Sequence, residues 1–324
     1  METIAEMSLN FSVVIPTYNG AKRLPKLLES LRSQVQTEDL SWEVIVVDNN
    51  SQDGTADVVN SYQKDWPGDV PLYCIPETKQ GEAFARQKGL ETAQGDLIGF
   101  IDDDNYIAKD WVYQAFQFSQ SYPQAGAYGG RIHVDFETPP PDNFNSIAGF
   151  FSARDRGDTP NQYQPELLSL PTGSAMVVRR KVWLENCQKP SFFIGRIGQS
   201  MITGADWEPL IRIYKKGWEI WYNPQMHAYH QVPAWRLEKD YLRGLIHGAC
   251  LSFFPLKMIL AKPTQVPYIF LRTVLGNSYR ASYHFLKYRQ QLQTDLVAAC
   301  ELQIYLSRIA SPFYFLRVRL LGGK

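Results

Sequence analysis

Residues 97–105 read Leu-Ile-Gly-Phe-Ile-Asp-Asp-Asp-Asn, an apolar run that leads directly into three adjacent carboxylates. The apolar run predicts a buried strand with the acidic triplet at its carboxyl end. Adjacent carboxylates repel one another, so this arrangement costs stability unless a cation or hydrogen-bond donors compensate. A divalent ion shared with a diphosphate would compensate, because Mg²⁺ and Mn²⁺ commonly use one or two carboxylates plus substrate phosphates. The alternative is a solvated acidic turn.

The triplet can be divided by direction. In an extended segment, residues i and i+2 point the same way, so we expect Asp102 and Asp104 to face one site. Asp104 is expected to bind the ion, and Asp102 to contact the ion or the ribose of a nucleotide. Asp103 is expected to be one of the residues that bind the donor, and no separate role is predicted for it.

Strands and helices alternate in the segment that precedes the triplet. The pattern predicts strands over residues 11–15, 42–47, 70–75 and 97–101, and helices over 21–34, 55–64 and 82–93. Such alternation with short connections indicates an α/β fold, with a mostly parallel central sheet and helices on both faces. Ligands in open α/β sheets bind at the carboxyl ends of the strands. We therefore expect the site along that edge.

Two further polar clusters follow predicted strands. The first strand is followed by a cluster in which Tyr18 can stack on a nucleotide base, or simply pack half-buried. The second strand ends at Asp48, which can accept a hydrogen bond from a base or cap the turn that follows it. The donor-binding residues expected from these clusters are Pro16, Thr17, Tyr18, Asn19, Asp48 and Ser51.

Arg86 lies in the first turns of the third predicted helix, behind Lys79-Gln80-Gly81. A helix N-terminus with an arginine one turn later suits anion binding, which predicts a contact with the donor. A surface ion pair is the alternative for Arg86.

Asp206 begins a predicted helix over residues 206–216, just after a glycine-containing loop at 191–203. Its carboxylate can act as the general base that takes a proton from an acceptor hydroxyl, or as a helix N-cap. We expect the 191–203 loop to close over the substrates and exclude water. His230 is a candidate third metal ligand, although a lone histidine near aromatic residues is more often structural.

The C-terminal region, residues 236–324, differs in charge from the rest of the chain. It carries 13 Lys/Arg against 4 Asp/Glu, whereas residues 1–235 carry 20 against 29. Its pattern is helical with interruptions at Pro255, Pro263, Pro267 and Pro312. The basic, aromatic composition predicts contact with a membrane surface or with a lipid-linked or polymeric acceptor, and solvated helices are an equally open alternative.

The chain shows no segment expected to cross a membrane. The longest apolar run, residues 245–256, is shorter than the roughly 20 residues that a spanning helix needs. The first ten residues do not form a signal peptide, and four scattered cysteines fit a reducing compartment. We therefore expect a cytoplasmic protein, peripheral at most on the inner face of the plasma membrane.

Three stretches resemble glycosyltransferase family 2, of the GT-A fold: residues 13–19 (VVIPTYN), 44–55 (VIVVDNNSQDGT) and 95–104 (GDLIGFIDDD). They occur in that family's order and spacing. The resemblance is specific over residues 11–130 and looser to about 235. It implies a catalytic domain over 1–235, with a donor half at 11–130 and an acceptor half at 131–235. A helical extension would follow at 236–324.

The segment around Asp206 is similar to the family's Gly-Glu-Asp-x-Glu-Leu. Ala205 stands where the family has Glu, and Pro209 where it has Leu, but Asp206 keeps its place. The resemblance therefore implies that Asp206 is the base of an inverting reaction. No Gln-x-x-Arg-Trp motif of processive synthases occurs, which favours transfer of a single sugar per event.

The resemblance also implies a nucleotide-diphosphate sugar donor, Mg²⁺ or Mn²⁺, and a saccharide or lipid-linked acceptor, as in bacterial polysaccharide and cell-envelope biosynthesis. Nothing points to a nucleic-acid partner. A sugar-phosphate nucleotidyltransferase would need a phosphate loop rich in glycine and arginine after the first strand, and an oxidoreductase would need GxGxxG there; neither is present. The remaining alternative is a catalytically weak subunit that binds sugar nucleotides or polysaccharide.

Overall fold

The computed structural model describes residues 9–187, 193, 195 and 201–320. The strands are β1 Phe11–Thr17, β2 Trp42–Asp48, β3 Leu72–Pro76, β4 Leu97–Ile101, β5 Asn105–Ile107, β6 Ala125–Phe136, β7 Asn161–Gln162, β8 Ala175–Arg179 and β9 Glu219–Val232. The α-helices are α1 Leu24–Arg32, α2 Thr55–Gln63, α3 Glu82–Thr92, α4 Trp111–Ser121, α5 Arg180–Asn186, α6 Trp207–Lys215, α7 Lys239–Leu251, α8 Phe253–Leu260, α9 Val266–Tyr288 and α10 Leu296–Leu320.

Within these described residues, the nine strands form one sheet in the order β3-β2-β1-β4-β8-β6-β9-β5, and β7 pairs with β9 outside this path. The strands β3, β2, β1 and β4 pair in parallel, and β6 is parallel to β9. The antiparallel neighbours are β8, β5 and β7. Most strands therefore run in one direction, which confirms the predicted mostly parallel α/β sheet.

Helices cover both faces of this sheet because successive residues of its strands point to opposite sides. Val13 packs in one hydrophobic cluster with the buried face of α1, which includes Leu27. Val14, the next residue, packs in a second cluster with Leu90 of α3. Each fully buried side chain of this kind contributes about 1.5–3 kcal/mol. The two clusters hold the strand ends, and the loops that follow them, in fixed positions.

The C-terminal helices pack against the segment that follows β6 and against the end of β9. A third hydrophobic cluster joins Phe144 and Phe151 to Leu242 and Ile246 of α7 and to Cys300 of α10. The predicted helical C-terminal region is therefore confirmed, and it shares a core with residues that precede position 235. Across the described residues, no helix combines the length and the apolar character that crossing a membrane requires.

The prolines of this region behave differently from one another. Pro255 and Pro267 lie in the first turns of α8 and α9, where a missing N–H is tolerated. Pro312 lies inside α10, which continues to Leu320, so the predicted interruption there is wrong. The neighbouring Ser311 is fully buried; its hydroxyl donates to the Leu251 carbonyl at 2.6 Å and accepts from the Phe254 N–H at 2.9 Å. These tertiary contacts hold the segment helical despite the proline.

Candidate functional site

A cavity of about 660 Å³ opens where the carboxyl ends of β1 and β4 face the C-terminal helices α7, α8 and α10. Most of the predicted site residues line it: Pro16, Thr17, Tyr18, Arg86, Asp102, Asp103, Asp104, Asp206 and His230. Three predicted donor-binding residues do not line it: Asn19, Asp48 and Ser51. The fold therefore brings together segments that are far apart in sequence.

The acidic triplet does not continue the strand. β4 ends at Ile101, and the backbone then turns, closed by a hydrogen bond of 3.0 Å from the Asn105 N–H to the Asp102 carbonyl. The expectation of an extended segment is therefore wrong, because the chain must reverse here to enter β5. In the turn the three carboxylates diverge, and each one meets a different arginine.

Asp103 is the structural member of the triplet. It is buried, accepts the Thr17 hydroxyl at 2.6 Å, and accepts both Nε and Nη2 of Arg23 at 2.8 Å. The hydrogen bonds that Arg23 donates to Asp103 raise the pKa of Arg23. Gly20 must stay small, since a Cβ there would lie 2.1 Å from the Thr17 hydroxyl. This pair fixes the loop after β1 against the triplet.

Asp102 pairs with Arg86 across 2.8 Å, and Glu82 contacts the same guanidinium at 2.7 Å. Arg86 is only 2% exposed, so the alternative of a surface ion pair is wrong. Burial would lower the pKa of Arg86, but Glu82 and Asp102 raise it well above the usual value. Gly173 lies directly against the guanidinium, which leaves no room for a side chain. The arginine is therefore a fixed cation in the cavity wall.

Asp104 contacts two side chains that come much later in the sequence, those of His230 and Arg236. Its Oδ2 accepts from Nη1 of Arg236 at 2.9 Å and lies 3.3 Å from Nε2 of His230. Nδ1 of His230 donates to the Phe151 carbonyl at 2.7 Å. Burial would raise the pKa of Asp104, but His230 and Arg236 together lower it far below the usual range. Asp104 is therefore ionised and already balanced by a cation.

The residues present fit a divalent ion only together with substrate oxygens. No group of three His, Cys, Asp or Glu side chains within the described ranges could hold a metal unaided. Asp102 and Asp104 both line the cavity, however, and two carboxylates plus diphosphate oxygens are sufficient for Mg²⁺ or Mn²⁺. His230 Nε2 is directed at Asp104 and Arg236, so its ligand role would need both contacts to loosen.

Asp206 is the N-cap residue of α6, which is the alternative role that the sequence predicts for it. Its Oδ1 accepts the Trp207 N–H at 3.0 Å, and its Oδ2 accepts the Gly173 N–H at 2.8 Å. The carboxylate lines the cavity, so the same group is available to a substrate hydroxyl. Of the loop predicted to close over the substrates, residues 191–203, the described residues are 193, 195 and 201–203, and the rest lies outside them.

The loops after β1 and β2 are tied to each other. Asp48 accepts the Ser51 N–H at 3.0 Å, which is the turn cap considered for it. The Ser51 hydroxyl accepts the Asn19 N–H at 2.8 Å, and the Asn19 side chain accepts the Gln52 N–H at 2.8 Å. Tyr18 stays half exposed beside this junction. These bonds support the loop that presents Tyr18, and the donor-binding roles of the three residues stay predictions.

Several cavity residues were not found from the sequence. Arg23, Arg154, Arg236 and Arg308 all line the cavity and carry no motif of their own. Asn49 lies within residues 44–55, one of the stretches that resemble the family, and the sequence predicts no role for it. It is buried, donates to the Glu77 and Lys79 carbonyls, and accepts the Gly81 N–H at 2.7 Å. The only sequence signal was its position at a strand end.

Residues 12–185, more than half of the chain, match the sequence profile described as Glycosyl transferase family 2. The chain is 29% identical to the glucosyl-dolichyl phosphate glucuronosyltransferase of Haloferax volcanii over 72% of its own length and 73% of that protein. It is 36% identical to the uncharacterized glycosyltransferase YfnE of Bacillus subtilis over 38% of its length. That match spans only 31% of YfnE.

Two solved structures are similar over nearly the whole chain. The mannosyltransferase PcManGT of Pyrobaculum calidifontis, in complex with GDP-Man and Mn²⁺, has a TM-score of 0.63 at 20% identity, covering 96% of this chain and 88% of that one. TarS 1–349 of S. aureus, in complex with UDP, has a TM-score of 0.52 at 17% identity, covering 95% and 92%. At these identities the likeness shows the fold, which is GT-A.

Proposed function

The chain belongs to glycosyltransferase family 2, and on that premise we propose that it moves one sugar from a nucleotide-diphosphate sugar to an acceptor hydroxyl, with inversion at the anomeric carbon. The observation that carries the proposal is the joint presence of the acidic triplet and Asp206 in the lining of one cavity. The acceptor is a saccharide or a lipid-linked saccharide of bacterial polysaccharide or cell-envelope biosynthesis. Relatives named for teichuronic acid and poly(ribitol-phosphate) support that class.

The donor end is formed by the segments after β1, β2 and β4. Tyr18 stacks on the base, Asp48 accepts a base N–H, and Asp102 contacts the ribose or the ion. Arg86 stays a donor-binding residue in this proposal: its buried guanidinium pairs with Asp102 and Glu82 and so fixes Asp102 beside the place where the diphosphate would lie. Solved neighbours hold UDP, UDP-GlcNAc or GDP-Man, which supports a nucleotide-sugar donor.

Asp104 and Asp102 are the residues that would hold Mg²⁺ or Mn²⁺, with His230 as a weaker third candidate. Such an ion supplies positive charge that stabilises the departing nucleoside diphosphate. Without a bound donor, Arg236 forms an ion pair with Asp104. The protein's own task at this end is to keep Asp104 ionised and in position.

Asp206 acts at the acceptor end. It takes the proton of the acceptor hydroxyl as that oxygen forms a bond to the anomeric carbon and the bond to the diphosphate breaks. The Gly173 N–H and the Trp207 N–H hold the carboxylate in one orientation. Such positioned proton transfer contributes typically about 10²–10⁴-fold to rate.

A nucleotide-release assay over UDP-, GDP- and dTDP-sugars with Mn²⁺ tests the proposal. Asp206→Asn keeps only one of the two oxygens that accept the Trp207 and Gly173 N–H groups, so it should cost about 1–3 kcal/mol of stability. It should lose about 10²–10⁴-fold in rate with donor binding retained. Asp69→Asn, at an exposed position away from the cavity, is the matched control. Full activity of Asp206→Asn would remove the base assignment. Nucleotide binding without turnover would instead indicate the non-catalytic binding subunit, and no thermal shift with any nucleotide would overturn both.

A further inference from the structure

Two cations from two C-terminal helices meet at one aromatic ring, and a third cation lies on the helix beside them. Nζ of Lys257, on α8, lies 4.4 Å from the centre of the Phe253 ring, and the guanidinium carbon of Arg308, on α10, lies 4.6 Å from the same centre. Arg272 lies on α9 two residues after Phe270, whose ring packs against Phe254 of α8 with 6.1 Å between the ring centres. Burial lowers the pKa of Lys257, and the charges of Arg272 and Arg308 lower it further. We name Lys257, Arg272 and Arg308 the cation cluster.

No carboxylate balances the cation cluster in the part of the chain that the structure describes. None of its members has an Asp or Glu within ion-pair distance there. The local sequence explains this, since residues 241–294 and 302–324 contain no Asp or Glu. The Nε of Arg308 is buried without a hydrogen-bond partner. Like charges held together cost stability, and a bound anion would remove that cost.

The cation cluster adjoins the cavity that contains Asp206. Arg308 and Phe253 belong to the lining of that cavity, together with apolar side chains such as Leu245 and Leu256. An anion beside Arg308 would therefore have the candidate base at one end and apolar walls around it. Arg86 and Arg236, which line the same cavity, are already paired with Asp102 and Asp104. Among the described residues, the cavity arginines without a carboxylate at ion-pair distance are therefore Arg154 and Arg308. The charge of Asp206 acts on Arg154, so the unpaired charge lies on the Asp206 side of the cavity.

An apolar helix face continues outward from the cation cluster. On α9, large exposed side chains recur every three or four residues, as on one side of a helix. They are Tyr268, Leu271, Leu275, Tyr279, Tyr283 and Leu286, each between 56% and 72% exposed. Arg272 is part of this helix, between the first members of that series. Cationic charge beside an uncovered apolar face suits a ligand that has an anionic group and a long apolar chain.

We propose that the cation cluster binds the phosphate of a lipid-linked acceptor, with the lipid chain lying along α8 and α9. This inference rests on the proposed function, because it assigns the acceptor's phosphate to that enzyme. A phospholipid headgroup offers the same chemistry, and the position of Arg308 in the lining of the catalytic cavity favours the acceptor.

Binding of two matched probes tests the cation cluster without turnover. Farnesyl phosphate and farnesol share one apolar chain and differ only in the phosphate. The native chain should bind farnesyl phosphate at least about tenfold more tightly than farnesol, since charge-assisted hydrogen bonds to phosphate are the strong ones. Arg308→Gln should remove most of that difference and leave farnesol binding unchanged. Arg280→Gln, an exposed position two turns along α9 from Arg272, is the control and should bind like the native chain.

Arg272→Gln gives the same test at an exposed position where folding is not at risk. Equal affinity for the two probes, or the same affinities in Arg272→Gln, Arg308→Gln and Arg280→Gln, would overturn the proposal. Co-sedimentation with phosphatidylcholine vesicles, with and without phosphatidylglycerol, separates the two sources. If Arg272→Gln and Arg308→Gln lose binding to the phosphatidylglycerol vesicles but still bind farnesyl phosphate like the native chain, the cluster binds lipid headgroups. That result would overturn the acceptor assignment. Farnesyl phosphate binding that depends on the cluster, without nucleotide release, would contradict the proposed function alone.

Discussion

Arg236 donates a hydrogen bond of 2.9 Å to Asp104, although 132 residues separate the two along the chain. Arg236 is the first residue of the basic C-terminal region, and Asp104 is the last acid of the triplet at the end of β4. Their contact joins the helical extension to the donor end of the cavity. It also means that the carboxylate proposed to hold a metal ion has a cation of the protein's own beside it.

Arg236→Gln should destabilise the fold. Removing one partner of a buried ion pair costs about 3–5 kcal/mol, because the other charge is left uncompensated. The side chains of Arg236 and Asp104 are 15% and 17% exposed, so we expect the lower end, about 3 kcal/mol. Urea unfolding followed by circular dichroism measures it. Arg317→Gln, at an exposed position of α10, should stay within about 0.5 kcal/mol of the native chain, and a similar value for Arg236→Gln would contradict the prediction.

Arg236 and a divalent ion should compete for Asp104. If the ion binds Asp104 together with the donor diphosphate, Mn²⁺ with UDP should raise the melting temperature of Arg236→Gln more than that of the native chain. Asp104→Asn should lose the shift that depends on Mn²⁺ and keep any shift that UDP gives alone. Thermal melts with and without Mn²⁺ decide this. The same Mn²⁺ shift in all three chains would show that the ion does not use Asp104.

Gly173→Ala should displace the Arg86 side chain in the cavity wall. A Cβ at Gly173 would lie 2.2–2.5 Å from the guanidinium atoms of Arg86, which is too buried to move aside. Overpacking of this kind costs typically about 1–3 kcal/mol, and it would break the Arg86–Asp102 pair. We expect a nucleotide-release rate at least about tenfold lower, read in the same assay.

Gly276→Ala is the matched control for that change. A Cβ at Gly276 meets nothing within 4 Å, and the residue lies inside α9. Alanine is favoured over glycine in a helix by about 0.5–1 kcal/mol, so this variant should be slightly more stable. Equal effects of the two alanine substitutions would contradict the close contact between Gly173 and Arg86.

Asn49 should control the donor loop between β3 and α3. Asn49→Ala leaves the buried Gly81 N–H without its acceptor, which costs about 1–3 kcal/mol, and removes partly buried bonds to the Glu77 and Lys79 carbonyls. Asn49→Asp should be worse, because a carboxylate repels the two carbonyls. We expect a raised KM for the donor and a lower urea midpoint. Asn60→Ala, at an exposed position inside α2, is the control and should change both much less.

His133 should make the fold sensitive to mild acid. Its Nε2 lies 2.9 Å from Nδ1 of His227, and burial, His227 and Arg131 lower the pKa of His133. The unfolded chain, with a histidine pKa near about 6.5, therefore binds this proton more readily than the folded one. Stability should fall as the pH drops through that value and level off below the folded pKa. NMR titration measures the pKa, and His133→Gln should show a shallower loss; equal pH dependence would contradict the assignment.

The ends of strands were more predictable than the contacts of their side chains. The apolar runs before Thr17, Asp48 and Asp102 indicated three neighbouring strands and a polar edge, and all three lie at carboxyl ends of the same parallel ladder. The sequence offered a turn at the triplet only as the alternative, because an apolar strand pattern contains no signal for the residue at which the chain reverses. The continuation of α10 through Pro312 was missed for a related reason, since it depends on contacts with α7 and α8.

The sequence by itself determined the α/β order, the polar edge and the membership of glycosyltransferase family 2, because periodicity and motifs are properties of neighbouring residues. Only the tertiary structure decided which arginine balances each carboxylate: Arg86 for Asp102, Arg23 for Asp103 and Arg236 for Asp104. It also placed Lys257 and Arg308 at one aromatic ring, with Arg272 on a neighbouring helix. These pairings depend on how distant helices pack, and charge acts through space over a few ångströms wherever the chain has brought two groups together.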